Sequence, residues 1–306
     1  MRFPPGSRRV KKPWSSRSVG ARWQHKFFYA LIRIAGRRAA HAAVAFVVLY
    51  YVLFRPSARE RSRAYLERRF PGRNPVSRLL DCYRLTFELG KVLVDRAALG
   101  ILGPGEIAAG RGDEEELAKL AGEKRGLILV TAHVGCWQSA MGSLVALKLP
   151  VNLLIHREEG DVDLQYFEHG DGPAPYRIID PADPLGSTLE MLNALKRGEV
   201  LCIMGDRAMG GDRSTVALDF LGGVAQFPFT PYRMASAAGA PVAVIFPHRS
   251  RDGRYSIRVP EVLRVPENLG RDPGNYLPYA RRFVRALEGF VQEHPYQFFN
   301  FFDVWR

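Results

Sequence analysis

The sequence predicts an α/β fold: a mostly parallel or mixed sheet flanked by helices, with an N-terminal membrane-associated helical region. Three observations predict it. Short apolar runs bounded by Gly, Pro or polar residues, at 126–131, 150–155, 176–179, 199–204 and 241–247, read as buried strands and alternate with segments of helical period. An apolar stretch from Ala39 to Phe54 has arginines on both sides. The 306 residues are 47% hydrophobic with a mean hydropathy of -0.14, enough for one sizeable core and too polar for a polytopic membrane protein.

Residues 1–22 carry Arg2, Arg8, Arg9, Lys11, Lys12, Arg17 and Arg22 among Pro, Gly and Ser without periodicity, the pattern of a disordered basic tail. Residues 23–100 read as a helical region. Within it, the 39–54 stretch covers roughly 24 Å as a helix, short of the ~30 Å hydrocarbon core. Arg33, Arg37 and Arg38 precede it, and Arg55, Arg59, Arg61 and Arg63 follow. Because the positive-inside rule wants one side depleted of Lys and Arg, these flanks suit a helix dipping into the cytoplasmic leaflet better than a clean span. A buried core helix is the alternative. Ala58 to Leu99 is helical, with Leu79, Leu80, Tyr83, Leu85, Phe87, Leu89, Val92 and Leu93 on its apolar face.

Gly100 to Gly112 marks a boundary, and an α/β domain of residues 113–306 follows. Asp113 to Glu123 is an acidic helix feeding the strand at Gly126. Pro150–Ile155, Tyr176–Ile179 and Glu199–Met204 are further strands, with a helix over Ser187–Lys196. Val216–Phe220 and the run through Gln226 to Phe229 are two short strands separated by Gly222-Gly223, a pairing that lets a backbone approach a ligand closely. A helix over Pro231–Gly239, a buried strand over Pro241–Pro247, an edge strand over Ser256–Leu263 and a last helix over Tyr276–His294 complete the fold. The aromatic tail from Pro295 to Trp305 is expected to pack over the core, with contact to lipid as the alternative.

The net charge of +13 predicts an anionic partner: a lipid surface or an acidic carrier protein. No zinc-finger spacing or RNA-binding signature points to nucleic acid. Cys82, Cys136 and Cys202 are odd in number and far apart, which fits a reducing compartment. The histidines are scattered and lack ligand spacing, so no metal or cofactor is expected.

The richest stretch runs from Gly126 through Leu127-Ile128-Leu129-Val130-Thr131 to Ala132-His133-Val134-Gly135-Cys136-Trp137-Gln138. A buried parallel strand delivers functional residues at its carboxyl end, so His133 stands at a strand tip. The helical spacing of Met141, Leu144, Val145 and Leu147 puts His133 and Gln138 across one strand-to-helix turn, within reach of each other. Neutral imidazole, with a pKa of about 6.5, suits general-base work, and an orienting group on its other nitrogen fixes the tautomer. A second His-x4-Asp spelling, His156 to Asp161, lies in a polar loop without that context and is set aside. Cys136 as a nucleophile paired with His133 is a minor alternative to a turn residue.

These residues resemble the late, lauroyl/myristoyl-type acyltransferases of lipid A biosynthesis, in the lysophospholipid acyltransferase superfamily, whose signature is His, four residues, then Asp or Glu. The similarity runs from Ala39 to Pro247, and its most specific part is Asp206-Arg207, Gly210-Gly211-Asp212 and Phe227. It implies transfer of a fatty acyl chain from an acyl carrier protein or coenzyme A thioester to a hydroxyl of a glycolipid or phospholipid, on the cytoplasmic face of a bacterial inner membrane, without a cofactor. His133 is then the base. Trp137, Arg157, Asp206, Arg207, Gly210, Gly211, Asp212 and Phe227 meet the substrates, with Arg157 and Arg207 as anion clamps. The signature's carboxylate is replaced by Gln138, whose amide oxygen fixes a tautomer but supplies no charge. Three readings stay open: a slow enzyme oriented by Gln138, an enzyme with a borrowed carboxylate, for which Asp206 is the candidate, or a relative that binds acyl chains without transferring them. The same chemistry in a secondary, polyketide-like lipid pathway is a further alternative.

Overall fold

A computed structural model describes residues 22–103, 110, 112–137, 144, 147–155, 176–207 and 214–305. The basic tail and the expected helix after Gln138 lie outside these residues, apart from isolated positions such as Leu144.

Three helices open the chain: α1 (Arg22–Phe54), α2 (Pro56–Arg69) and α3 (Pro75–Leu102). At 1.5 Å per residue α1 measures about 50 Å, and it breaks once, at Gly36 (φ 75°, ψ 178°). Ala40, Val44, Val48 and Val52 recur every four residues and are buried. They lie along α3 at Gly90, where a Cβ would stand 3.1 Å from the Val44 side chain and crowd it. The other face of α1 leaves Phe46, Leu49, Tyr50, Leu53 and Phe54 exposed. Thus the 39–54 stretch is neither enclosed like a core helix nor free on all sides. By length and composition Trp23–Phe54 is apolar enough to cross a membrane.

Each junction has a local cause. Arg59 donates to the carbonyls of Val52 and Leu53, at 2.6 and 2.9 Å, and so satisfies the end of α1. Pro75 begins α3, where a missing N–H costs nothing, and Asn74 caps it by accepting from the Ser77 N–H. The α2 helix is tied to the chain's end: the Tyr65 hydroxyl donates to Pro295 at 2.6 Å, and Arg69 to the carbonyls of Val291 and Gln292.

After α4 (Glu114–Gly122) come β1 (Leu127–Thr131), β2 (Val151–Leu154), β3 (Tyr176–Ile179), α5 (Pro184–Lys196) and β4 (Val200–Met204). A separate hairpin comes next, β5 (Thr215–Phe220) with β6 (Gly223–Pro228), then α6 (Thr230–Ala238), β7 (Val242–Arg249), β8 (Tyr255–Leu263) and α7 (Leu277–Glu293). The main sheet has the order β3-β2-β4-β1-β7-β8, parallel except at the β8 edge. Five-residue β1 is buried throughout, as expected for a central parallel strand with both faces covered.

The expected role of the glycine pair changes. Leu221 and Gly222 both have positive φ, the requirement of a tight two-residue hairpin turn. A Cβ on Gly223 would stand 2.8 Å from the Trp305 ring and 3.1 Å from Arg68. The close approach at the glycine pair is therefore made by the protein's own side chains rather than by a ligand. Trp305 stacks on Phe220 at 5.7 Å and donates its Nε1–H to the Phe220 carbonyl, while the Arg68 guanidinium lies over its ring at 4.3 Å. The tail packs over the core, burying Phe298, Phe299 and Val304.

One histidine pair makes stability pH-dependent. His248 of β7 stacks on His294, just past α7, with ring centroids 4.9 Å apart. Burial, followed by the neighbouring His294 and Arg258, holds His248 below the ordinary imidazole value of about 6.5. Burial and Arg258 lower His294, against a smaller opposing pull from Glu293. The unfolded chain thus binds protons at a pH where the folded pair does not, so stability from this pair is complete above about pH 6.5 and is lost as pH falls through the depressed values. The thermal midpoint is expected to drop between pH 7 and 5, and to drop less in His294→Gln. Equal slopes for the two proteins in calorimetry would rule out the pair as the cause.

Candidate active site

In-register parallel pairing builds the site. Thr131 of β1 pairs with Met204 of β4, and the Gly205 N–H donates to the Thr131 carbonyl at 2.7 Å. Two residues beyond that pair stand His133 and Asp206. Equal offsets on adjacent parallel strands bring both side chains to the same level and the same face. His133 Nδ1 lies 2.9 Å from each oxygen of the Asp206 carboxylate. The carboxylate side chain is 1% exposed and the imidazole 34% exposed.

Burial alone would push the Asp206 carboxyl up. The His133 imidazole, by its charge and its hydrogen bond, together with Arg207 and the His133 backbone N–H, holds it below the usual carboxylate range. An ionised Asp206 makes Nδ1 the protonated nitrogen of a neutral His133, which leaves the Nε2 lone pair as the ring's acceptor. A half-exposed imidazole backed by a buried carboxylate can take a proton and stabilise the charge that results.

The turn carrying His133 is held from the far end of the chain. Val134 bridges Phe298 in antiparallel fashion, Phe299 N–H donates to the His133 carbonyl at 2.7 Å, and Gly135 N–H donates to Gln297 at 3.0 Å. Gly135 has φ 51°, and a Cβ there would stand 2.0 Å from the Pro247 carbonyl oxygen, so only glycine fits. The Gln297 side chain in turn grips β7: its Oε1 accepts from Arg249 N–H and its Nε2 donates to the Arg249 carbonyl, both at 2.7 Å. Sequence patterning does not single out Gln297. Its one signal is an amide placed among the aromatics of 295–299.

Arg207 follows Asp206 but does not face an open surface as an anion clamp would. Its side chain is 13% exposed, its Nη2 donates to the Phe299 carbonyl at 2.9 Å, and its Nε lies 3.8 Å from Asp206. Burial lowers its pKa against the pull of Asp206. It therefore braces the tail segment against the carboxylate. Phe227 is 1% exposed and edge-on to Phe220 and Phe283, a core residue whose packing accounts for it. Trp137 is half-buried against Tyr176. Cys136 is 1% exposed, which leaves it no access to a substrate. Gln138, Arg157, Gly210, Gly211 and Asp212 lie outside the described residues. Among the described residues, no group of three or more His, Cys, Asp or Glu is placed to hold a metal ion.

Removing the Gln297 grip should loosen the His133 turn without emptying the core. Gln297→Ala is expected to lower kcat about tenfold, one lost positioning hydrogen-bond pair at roughly 1.4 kcal/mol, with KM little changed. Gln297→Glu keeps the acceptor but cannot donate to the Arg249 carbonyl, and should do no better. A KM effect without a kcat effect would assign Gln297 to substrate binding instead.

A protein-family model described as bacterial lipid A biosynthesis acyltransferase matches residues 10–306. Comparison with curated proteins gives no match.

Proposed function

The chain belongs to the bacterial lipid A biosynthesis acyltransferase family and is an acyltransferase using an acyl donor and a lipid acceptor, and on that basis we propose that His133 is the general base of the transfer, oriented by Asp206. The contact of His133 Nδ1 with both oxygens of a buried carboxylate supports this most directly. His133 Nε2 takes the proton of an acceptor hydroxyl as that oxygen attacks the thioester carbonyl. The ester C–O bond forms, the C–S bond breaks, and the imidazolium returns the proton to the departing thiolate. Asp206 stabilises the imidazolium between the two proton transfers.

The donor in this reading is an acyl carrier protein or coenzyme A thioester, and the acceptor a glycolipid of the lipid A type. In this reading the acyl chain lies beside His133, and Trp137, Arg157, Gly210, Gly211 and Asp212 meet the substrates. The net charge of +13 draws the chain to an acidic carrier and to anionic lipid. The exposed apolar face of α1 supports membrane association, which we assign to the cytoplasmic face of the inner membrane. With Asp206 in the orienting position, Gln138 need not supply charge, so the carboxylate missing from the signature does not by itself favour a non-catalytic relative.

The test is acyl transfer from acyl carrier protein to a lipid A precursor by wild type, His133→Ala and Gln138→Glu side by side. Wild type and Gln138→Glu are expected to run at similar rates and His133→Ala to be silent. A large gain in Gln138→Glu would show that the orienting charge is missing after all. Three equally silent proteins that still bind lipid would overturn the transfer reading.

A further inference from the structure

Another buried carboxylate lies between α1, α3 and the sheet, apart from the dyad. Asp95 of α3 is 0% exposed. Its Oδ1 lies 2.7 Å from His41 Nε2, and its Oδ2 accepts from the Tyr255 hydroxyl at 2.7 Å. Two guanidiniums also turn toward it, Arg249 Nε at 3.3 Å and Arg37 Nη1 at 3.7 Å, with side chains 13% and 18% exposed. One negative charge thus faces two permanent positive charges and an imidazole. Among the described residues, neither guanidinium has another acidic partner. Holding that excess charge out of water is unfavourable unless an anion shares the site.

The free ends of the two guanidiniums converge. Arg249 Nη2 and Arg37 Nη2 lie 3.0 and 3.8 Å from the point where a Cβ on Gly253 would stand, so they are no more than about 7 Å apart. One tetrahedral phosphate bridges such a gap with two charge-assisted hydrogen bonds of about 2.8 Å each. Gly253 has φ 85° in a turn braced by Asp252, which accepts from the Ser250 hydroxyl and from Arg254. The α1 helix breaks at Gly36, immediately before Arg37, beside a surface hollow of about 420 Å³ lined by Ala35, Gly36, Arg37 and Arg38. Gly36 has nothing within 4 Å of a would-be Cβ, so its glycine serves the break rather than close packing.

We propose that Arg37 and Arg249, held in place by Asp95, form a phosphate cradle at the break in α1 that takes the phosphate of an anionic lipid. The lipid source is suggested by position: Ile34, just before the break, is 87% exposed, and Trp23 and Phe27 are exposed on the same helix. Naming a lipid rests on the membrane reading above, whereas the phosphate chemistry stands on the arginine geometry.

The experiment uses the full chain and reads binding, so it does not depend on turnover. Affinity is measured for phosphatidylcholine vesicles with and without phosphatidic acid, and thermal stabilisation by inorganic phosphate is measured in parallel. Arg37→Gln and Arg249→Gln are each expected to weaken binding to the phosphatidic acid vesicles about tenfold, the loss of one charge-assisted pair. Arg281→Gln, the same charge change at an exposed arginine of α7, should leave it unchanged. Arg37, the more exposed of the two, carries the test if Arg249→Gln does not fold. Phosphate that stabilises wild type but not Arg37→Gln, with vesicle binding alike in all variants, overturns the lipid source. Equal behaviour of the Arg37, Arg249 and Arg281 variants in both assays overturns the cradle.

Discussion

Asp206→Asn is expected to lower kcat about 10⁴-fold at neutral pH, the scale found when the orienting carboxylate of a serine-protease triad becomes an amide. Asparagine keeps the shape and one acceptor oxygen. It loses the charge that stabilises imidazolium, and its amide nitrogen lets the ring settle in the wrong tautomer. The loss should fall in kcat more than in KM, because the interaction strengthens only as His133 gains its proton. Steady-state rates on folded protein, checked by its thermal midpoint, decide this. A loss of less than tenfold would mean that Asp206 does not orient the base.

His133→Ala carries the second large effect, a loss on the order of 10⁴, the upper range for a positioned general base. The pair matters more than either variant alone. If Asp206 acts through His133, as proposed, the double variant His133→Ala/Asp206→Asn should be no slower than His133→Ala. Losses that multiply would assign the carboxylate an independent role, such as direct contact with substrate. A side-by-side comparison with Gln138→Glu shows which residue holds the orienting position.

Much of the fold could be read locally. Strands β1, β2, β3, β4 and β7 and helices α3, α5 and α6 fall where apolar runs, period and Pro or Gly boundaries put them. His133 was visible because a buried strand ending in small polar residues presents its next side chains at the sheet's carboxyl edge. Asp206 was nameable as a strand-tip carboxylate, but its distance from His133 was not. The two lie 73 positions apart in the chain, and only the adjacency of β1 and β4, with Thr131 opposite Met204, turns equal offsets into contact. Phe227 shows the opposite failure: an aromatic in a motif-rich segment looks alike whether it faces a ligand or the core, and packing against Phe220 and Phe283 decides.

Gln297 and Asp95 mark the same limit. A glutamine in an aromatic tail and an aspartate in an apolar helix are each odd in sequence, and the oddness says only that a partner exists. Arg249 and the His133 turn answer for Gln297; His41, Tyr255 and two arginines answer for Asp95. Side-chain period and backbone preference act over a few residues, and they suffice for the strands, the helices and the histidine at a strand tip. Which carboxylate meets that histidine, and which segment holds it, is settled only in three dimensions. Strand order and tail docking are chosen by burying the whole apolar surface at once, a sum no local window contains.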